Sequence, residues 1–122
     1  MACGAAASLV FSPHLVPMTR GILATCYAHG RLSSDQALRA AREFYAEADF
    51  VRVSDALPHS KWAHGTNLAF VSYAADPEAE TVIALGAIDN LGKGAAGQAV
   101  QNMNLMLGFA EQLGLDMVPT TP

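Results

Sequence analysis

Apolar and polar positions along the chain change their spacing several times, and each change marks an element. Residues 5–12 (AAASLVFS) predict a strand that runs into a turn. Pro13 and Pro17 bracket His14-Leu15-Val16, which keeps that stretch extended. Residues 20–29 (RGILATCYAH) are apolar with β-branched and aromatic members and predict a second strand, closed by Gly30. A helix start follows. Ser33 with Gln36 three residues on forms a capping box, and Leu32 and Ala37 are spaced as a hydrophobic staple. Ala37, Leu38, Ala41, Phe44, Tyr45 and Ala48 then recur at helical spacing, with Arg39, Arg42, Glu43 and Glu47 opposite.

Residues 50–53 (FVRV) predict a short strand, and 54–64 a polar loop broken by Pro58. The runs 66–75 and 80–88 predict a strand pair around Asp76-Pro77-Glu78-Ala79. The second run is almost continuously apolar, as expected of a strand buried on both faces. From Lys93 to about Leu113 the spacing predicts one long helix. Its apolar face would be Ala96, Ala99, Val100, Met103, Met106, Leu107, Ala110 and Leu113, with Gly114 as its stop. The order β-β-α-β-β-β-α implies an α+β fold: a mixed, mostly antiparallel sheet with helices on one face.

Composition narrows the picture. The 122 residues suit one core, and a hydrophobic share of 52% excludes a disordered chain. Only 15% of residues are charged, too few to cover a lone globule, so part of the surface is expected to meet another protein surface. A net charge of −4 and scattered single cations argue against nucleic acid as a partner and against a polybasic membrane patch. No apolar run reaches the length of a membrane span, and the first ten residues do not read as a signal peptide. Two unpaired cysteines suit a reducing compartment, the cytoplasm.

Candidate chemistry concentrates in 88–104, IDNLGKGAAGQAVQNMN. Between Lys93 and Glu111 the predicted helix has no charge, and Gly94 and Gly97 fall in its first turns, where each costs about 1 kcal/mol against alanine. Two explanations stand side by side: tight packing against another backbone, or a helix N-terminus facing an anion with Lys93 beside it. Asn90, at the junction of strand and helix, can both donate and accept, which suits a carboxamide ligand and equally suits an amide capping its own loop. Arg20 stands between two apolar runs, where a guanidinium can clamp a carboxylate or phosphate or simply end a strand. His14 lies between prolines with no partner in sequence. His59, Lys61 and His64 sit in a loop with no metal-ligand spacing. Cys26 reads as a core residue, and Cys3 has no local base. No residue reads as an activated nucleophile, and no metal site is expected.

Two segments, FSPHLVPMTRGILATCYA (11–28) and AIDNLGKGAAGQAVQNMNLMLGF (87–109), resemble the N-acetyl-γ-glutamyl-phosphate reductases of arginine biosynthesis. The resemblance extends over about residues 9–119. The reductases acting on carrier-linked aminoadipyl phosphate in lysine biosynthesis share much of it. It implies a glyceraldehyde-3-phosphate dehydrogenase-like C-terminal domain, related to that of aspartate-semialdehyde dehydrogenase. Residues 1–88 would be the later part of the catalytic and dimerisation domain, and 89–122 the helix that returns to an N-terminal dinucleotide-binding domain. It further implies NADP as cofactor, N-acetyl-glutamyl phosphate (or the aminoadipyl analogue) as substrate, and a homo-oligomer. The alternative is a dimerising module without chemistry. The family's HPGCY-like cysteine segment and HRHxPEI-like histidine segment have no counterpart here, so no catalytic residue is expected in this chain. On the resemblance, Asn90 and Gly94 lie near the nicotinamide, and Arg20 is a candidate for the substrate anion.

Overall fold

The computed structural model describes residues 8–117. It is an α+β arrangement of four strands and two helices. The strands are β1 (Ile22–His29), β2 (Val51–Val53), β3 (Ala69–Asp76) and β4 (Thr81–Ile88), in the sheet order β1-β4-β3-β2. β4 pairs antiparallel with β1 on one side (Ile22 opposite Ile88) and with β3 on the other (Ala69 opposite Ile88), whereas β2 joins β3 in parallel. The sheet is therefore mixed and mostly antiparallel. The β3–β4 hairpin closes where expected, because Asp76 Oδ1 accepts from the N–H groups of Glu78 and Ala79 at 3.0 and 3.1 Å.

α1 (Ser34–Phe44) starts at the capping box: Ser33 Oγ accepts from Gln36 N–H, and Gln36 Oε1 accepts from Ser33 N–H at 2.8 Å. Its buried stripe is Ala37, Leu38 and Ala41, and with Tyr73 and Val82 it lines an apolar groove over one sheet face. Ser34 Oγ accepts from Ala75 N–H at 2.9 Å, replacing a ladder bond that short β2 does not reach. On the opposite face a 3-10 turn (Ser60–Ala63) sets Trp62 edge-on to Phe70, with ring centres 5.7 Å apart.

The ending departs from the periodicity. A π-helical turn (Gly92–Ala96) leads into α2 (Gly97–Leu107), which stops at Gly108 in the left-handed region (φ 73°) rather than running to Leu113. The buried face of α2 is also the reverse of the expected one. Gly97, Gln101 and Asn104 face inward, while Met103, Met106 and Leu107 are exposed. Packing turns on polar pairing. Asn104 Nδ2 donates to the carbonyls of Glu111 and Leu113 at 3.1 and 2.9 Å and folds the tail back along the helix. Asn67 Nδ2 and Lys93 Nζ both donate to Gln101 Oε1, at 3.0 and 2.6 Å. Gly97 is required by this contact: a Cβ there would strike Asn67 Oδ1 and lie 2.8 Å from the Gly92 carbonyl oxygen.

Three further expectations are corrected. Residues 8–12 form no strand, and 5–7 of the predicted first strand lie outside the described residues. β4 is central but only half-buried apart from Ala87, because no layer among the described residues covers both of its faces fully. Cys26 is exposed, since every residue of edge strand β1 is exposed; Cys3 lies outside the described residues.

Candidate functional site

The ends of β1 and β4 meet at the Ile22–Ile88 pair, so the residues just outside it, Arg20-Gly21 and Asp89-Asn90, come together although they are far apart in sequence. Asp89 is the organising group, and it is fully buried (0% exposed). Its Oδ1 accepts from the N–H groups of Leu91 and Gly92, each at 2.8 Å. Its Oδ2 accepts from Gly65 N–H at 2.8 Å, and Arg20 Nη2 donates to both oxygens at 3.0 and 2.9 Å. Burial by itself would raise the carboxyl's pKa. The N–H groups of Gly65 and Gly92, the Arg20 guanidinium and Leu91 N–H outweigh it and hold Asp89 well below the usual carboxylate range.

Asn90 continues the strap. Its Oδ1 accepts from Gly21 N–H at 2.8 Å, so the amide is oriented by the backbone of the opposite strand end. Its Nδ2 donates to no group among the described residues. Arg20 is about one-third exposed (side chain 34%) and uses only Nη2 on Asp89. Its Nε is buried without an acceptor, a state that costs about 1–3 kcal/mol unless an acceptor arrives.

Gly94 lies at the surface of the π-helical turn, and its N–H donates to the Asp89 carbonyl at 2.8 Å. Together with the bonds of Leu91 and Gly92 to the Asp89 carboxylate, this directs three of the turn's leading N–H groups onto Asp89. The start of this helix is thus capped by the chain's own anion and is not an open anion cradle. Of the two explanations for the helix glycines, close approach accounts for Gly97 and reaches Gly94 too, where a Cβ would lie 3.1 Å from the Asp89 carbonyl oxygen and within 3.7 Å of the Ile88 and Ile22 side chains.

Lys93 faces away from this cluster. Its ammonium lies 5.4 Å from the centre of the Phe50 ring and bonds Gln101. Burial pulls its pKa down, against the raising influence of Glu111, whose Oε1 accepts from Gln101 Nε2 at 2.5 Å. His14 is exposed, with Nδ1 3.0 Å from the Ser12 carbonyl oxygen, and the His59 ring lies tilted against Trp62, centres 4.9 Å apart; neither joins the Arg20 cluster through a hydrogen bond. The residue the sequence reading missed is Asp89. The available signal was a lone acid closing an apolar strand directly before Asn90 and a glycine-bearing turn.

With this geometry in hand, the comparisons with known proteins take on meaning. Residues 1–90 match the family model described as semialdehyde dehydrogenase, dimerisation domain. The chain is 69% identical over 119 residues to the N-acetyl-gamma-glutamyl-phosphate reductase of Bradyrhizobium sp. (strain ORS 278), covering 98% of this chain and 37% of that protein. It is 66% identical over 119 residues to the protein of the same name in Methylobacterium sp. (strain 4-46), with the same coverage. A third relative of that name, from Dehalococcoides mccartyi (strain CBDB1), is 47% identical over 116 residues, 93% of this chain and 34% of that protein. The chain spans little more than a third of these curated relatives and corresponds to their C-terminal part.

Proposed function

The chain belongs to the semialdehyde dehydrogenase dimerisation-domain family, and we propose that it acts as the C-terminal third of an NADPH-dependent N-acetyl-γ-glutamyl-phosphate reductase. The reaction would convert an acyl phosphate to the semialdehyde in arginine biosynthesis, in the cytoplasm and within a homo-oligomer. The observation that carries this reading is the 69% identity over nearly the whole chain to a reductase of that name. In this reading residues 1–88 complete the catalytic and dimerisation domain, and 89–122 return to the dinucleotide-binding domain. The thiol nucleophile and its base come from the part that precedes this segment.

The residues present fit those two ligands. Arg20 offers an orphaned Nε and a free Nη1 to an anionic oxygen of the substrate. Asn90, its carbonyl held by Gly21, keeps Nδ2 for the carboxamide of a nicotinamide. Gly94 is exposed on the turn that follows, with the Ile22 and Ile88 side chains beneath it, an apolar floor for a flat ring. When bound, the nicotinamide supplies the hydride. This chain's part is to bind and orient.

The test is a chimera in which this chain replaces the matching 119 residues of the Bradyrhizobium reductase. The purified chimera is expected to oxidise NADPH in the presence of N-acetyl-γ-glutamyl phosphate, with Arg20→Ala raising KM for the acyl phosphate. A folded chimera that fails to turn over refutes the assignment.

A further inference from the structure

Arg20 presents a puzzle: a guanidinium offered to an anionic ligand is already paired with a carboxylate. The geometry of the pair resolves it. Only Nη2 is used, and it bridges both Asp89 oxygens at 3.0 and 2.9 Å. Nε has no acceptor although it is buried, and Nη1 has none among the described residues. Asp89 itself cannot turn, because three backbone N–H groups from two segments, Gly65 and Leu91-Gly92, hold its oxygens at 2.8 Å. A long, rotamer-rich cation is thereby fixed at one nitrogen by an anchor that belongs to the core. Its charge is paired at Nη2, and its remaining donors keep one direction.

We propose that Asp89 is a positioning residue: its buried carboxylate sets the orientation in which the free N–H groups of Arg20 meet the anionic oxygens of the substrate. This rests on the reductase reading above and deepens it. Because Asp89 neutralises Arg20 locally, the site would recognise its anion by directed hydrogen bonds more than by net charge. An anion aligned in this way depends on the angle of the fork, and an error of about 1 Å at such a site costs up to roughly a hundredfold in rate.

The experiment is a double-mutant cycle in the chimera, with Asp89→Asn, Arg20→Ala and the pair together, reading KM for N-acetyl-γ-glutamyl phosphate, kcat and the melting temperature. Asp89→Asn is expected to raise KM about tenfold, and in the Arg20→Ala background to raise it no further, because there is no guanidinium left to orient. The melting temperature falls in either case, so KM decides whether the carboxylate is purely structural. For a purely structural carboxylate KM would be unchanged, or the two KM effects would multiply, and either result overturns the proposal. Should Asp89→Asn not fold, Arg20→Lys decides. It keeps the cation but not the planar fork, so KM is expected to rise about tenfold; an unchanged KM overturns the proposal. A wild-type chimera that folds but does not reduce the acyl phosphate refutes the reductase reading itself, and the proposal with it.

Discussion

Asp89 shows how much a single buried carboxylate can govern. Four donors from three separated stretches of chain converge on it, and they tie the start of β1, the 65–67 segment and the turn before α2 to one point. Removing the charge leaves Arg20 and three N–H groups competing for a neutral amide. Asp89→Asn is therefore expected to cost the isolated chain about 3–5 kcal/mol at neutral pH, measured by urea denaturation. The pH dependence follows from the direction of the shift. The unfolded carboxyl titrates at 3.8 and the folded one well below, so between those values the unfolded state holds a proton that the native state lacks. The stability owed to Asp89 is then complete above about pH 5 and drains away as the pH falls toward the folded pKa. The variant should show a shallower acid limb than the parent; parallel limbs would mean the carboxylate is not the linked group. In the sequence, Arg20 stood out because it lies between two apolar runs beside a glycine, and Asn90 because it joins a strand to a helix, but nothing local tells that these two strand ends face one another. That juxtaposition is made by the β1–β4 register, a long-range fact.

At the scale of elements, the parts written in local chemistry were legible and those decided by partners were not. The capping box at Ser33 and Gln36 fixes the start of α1, and Asp76 fixes the hairpin, through bonds that span two or three residues. The last helix misled the periodicity. Apolar spacing continues across Gly108, so the pattern reads on to Leu113, while the backbone turns at Gly108 and Asn104 ties the tail back. Period alone also cannot say which stripe faces inward: the inner stripe here is glycine and amides, and their pairing with Asn67, Lys93 and Glu111 satisfies most of it. Gly97→Ala tests that packing. In an open helix the change would gain about 1 kcal/mol. Here the new methyl meets Asn67 Oδ1 and the Gly92 carbonyl, so a net loss of about 1–2 kcal/mol is expected in thermal melts. A stabilised variant would show that α2 does not sit against Asn67.

For the molecule as a whole, the inverted helix and the bare edge strand have one consequence. Met103, Leu105, Met106 and Leu107 stand outward on α2, Met106 at 84% exposure, and Ile22, Leu23 and Tyr27 are exposed on β1. Apolar surface on this scale draws out of water with about 25 cal/mol per Å², so the isolated chain is expected to self-associate. Gln101 is buried against Asn67 and Lys93, so what α2 leaves uncovered is mostly apolar. Met106→Glu separates the two settings in which that surface is met. In the isolated chain the side chain touches little, so stability should change by no more than about 0.5 kcal/mol, while the associated fraction seen by light scattering falls. In the chimera, where this face would rest on the dinucleotide-binding domain, the same glutamate must be buried or must push the domains apart, and the melting temperature should drop. Opposite responses of one substitution in the two contexts mark the outer face of α2 as a surface built for another domain. A monomeric parent chain at high concentration, or a chimera indifferent to the charge, would show that this face remains in water.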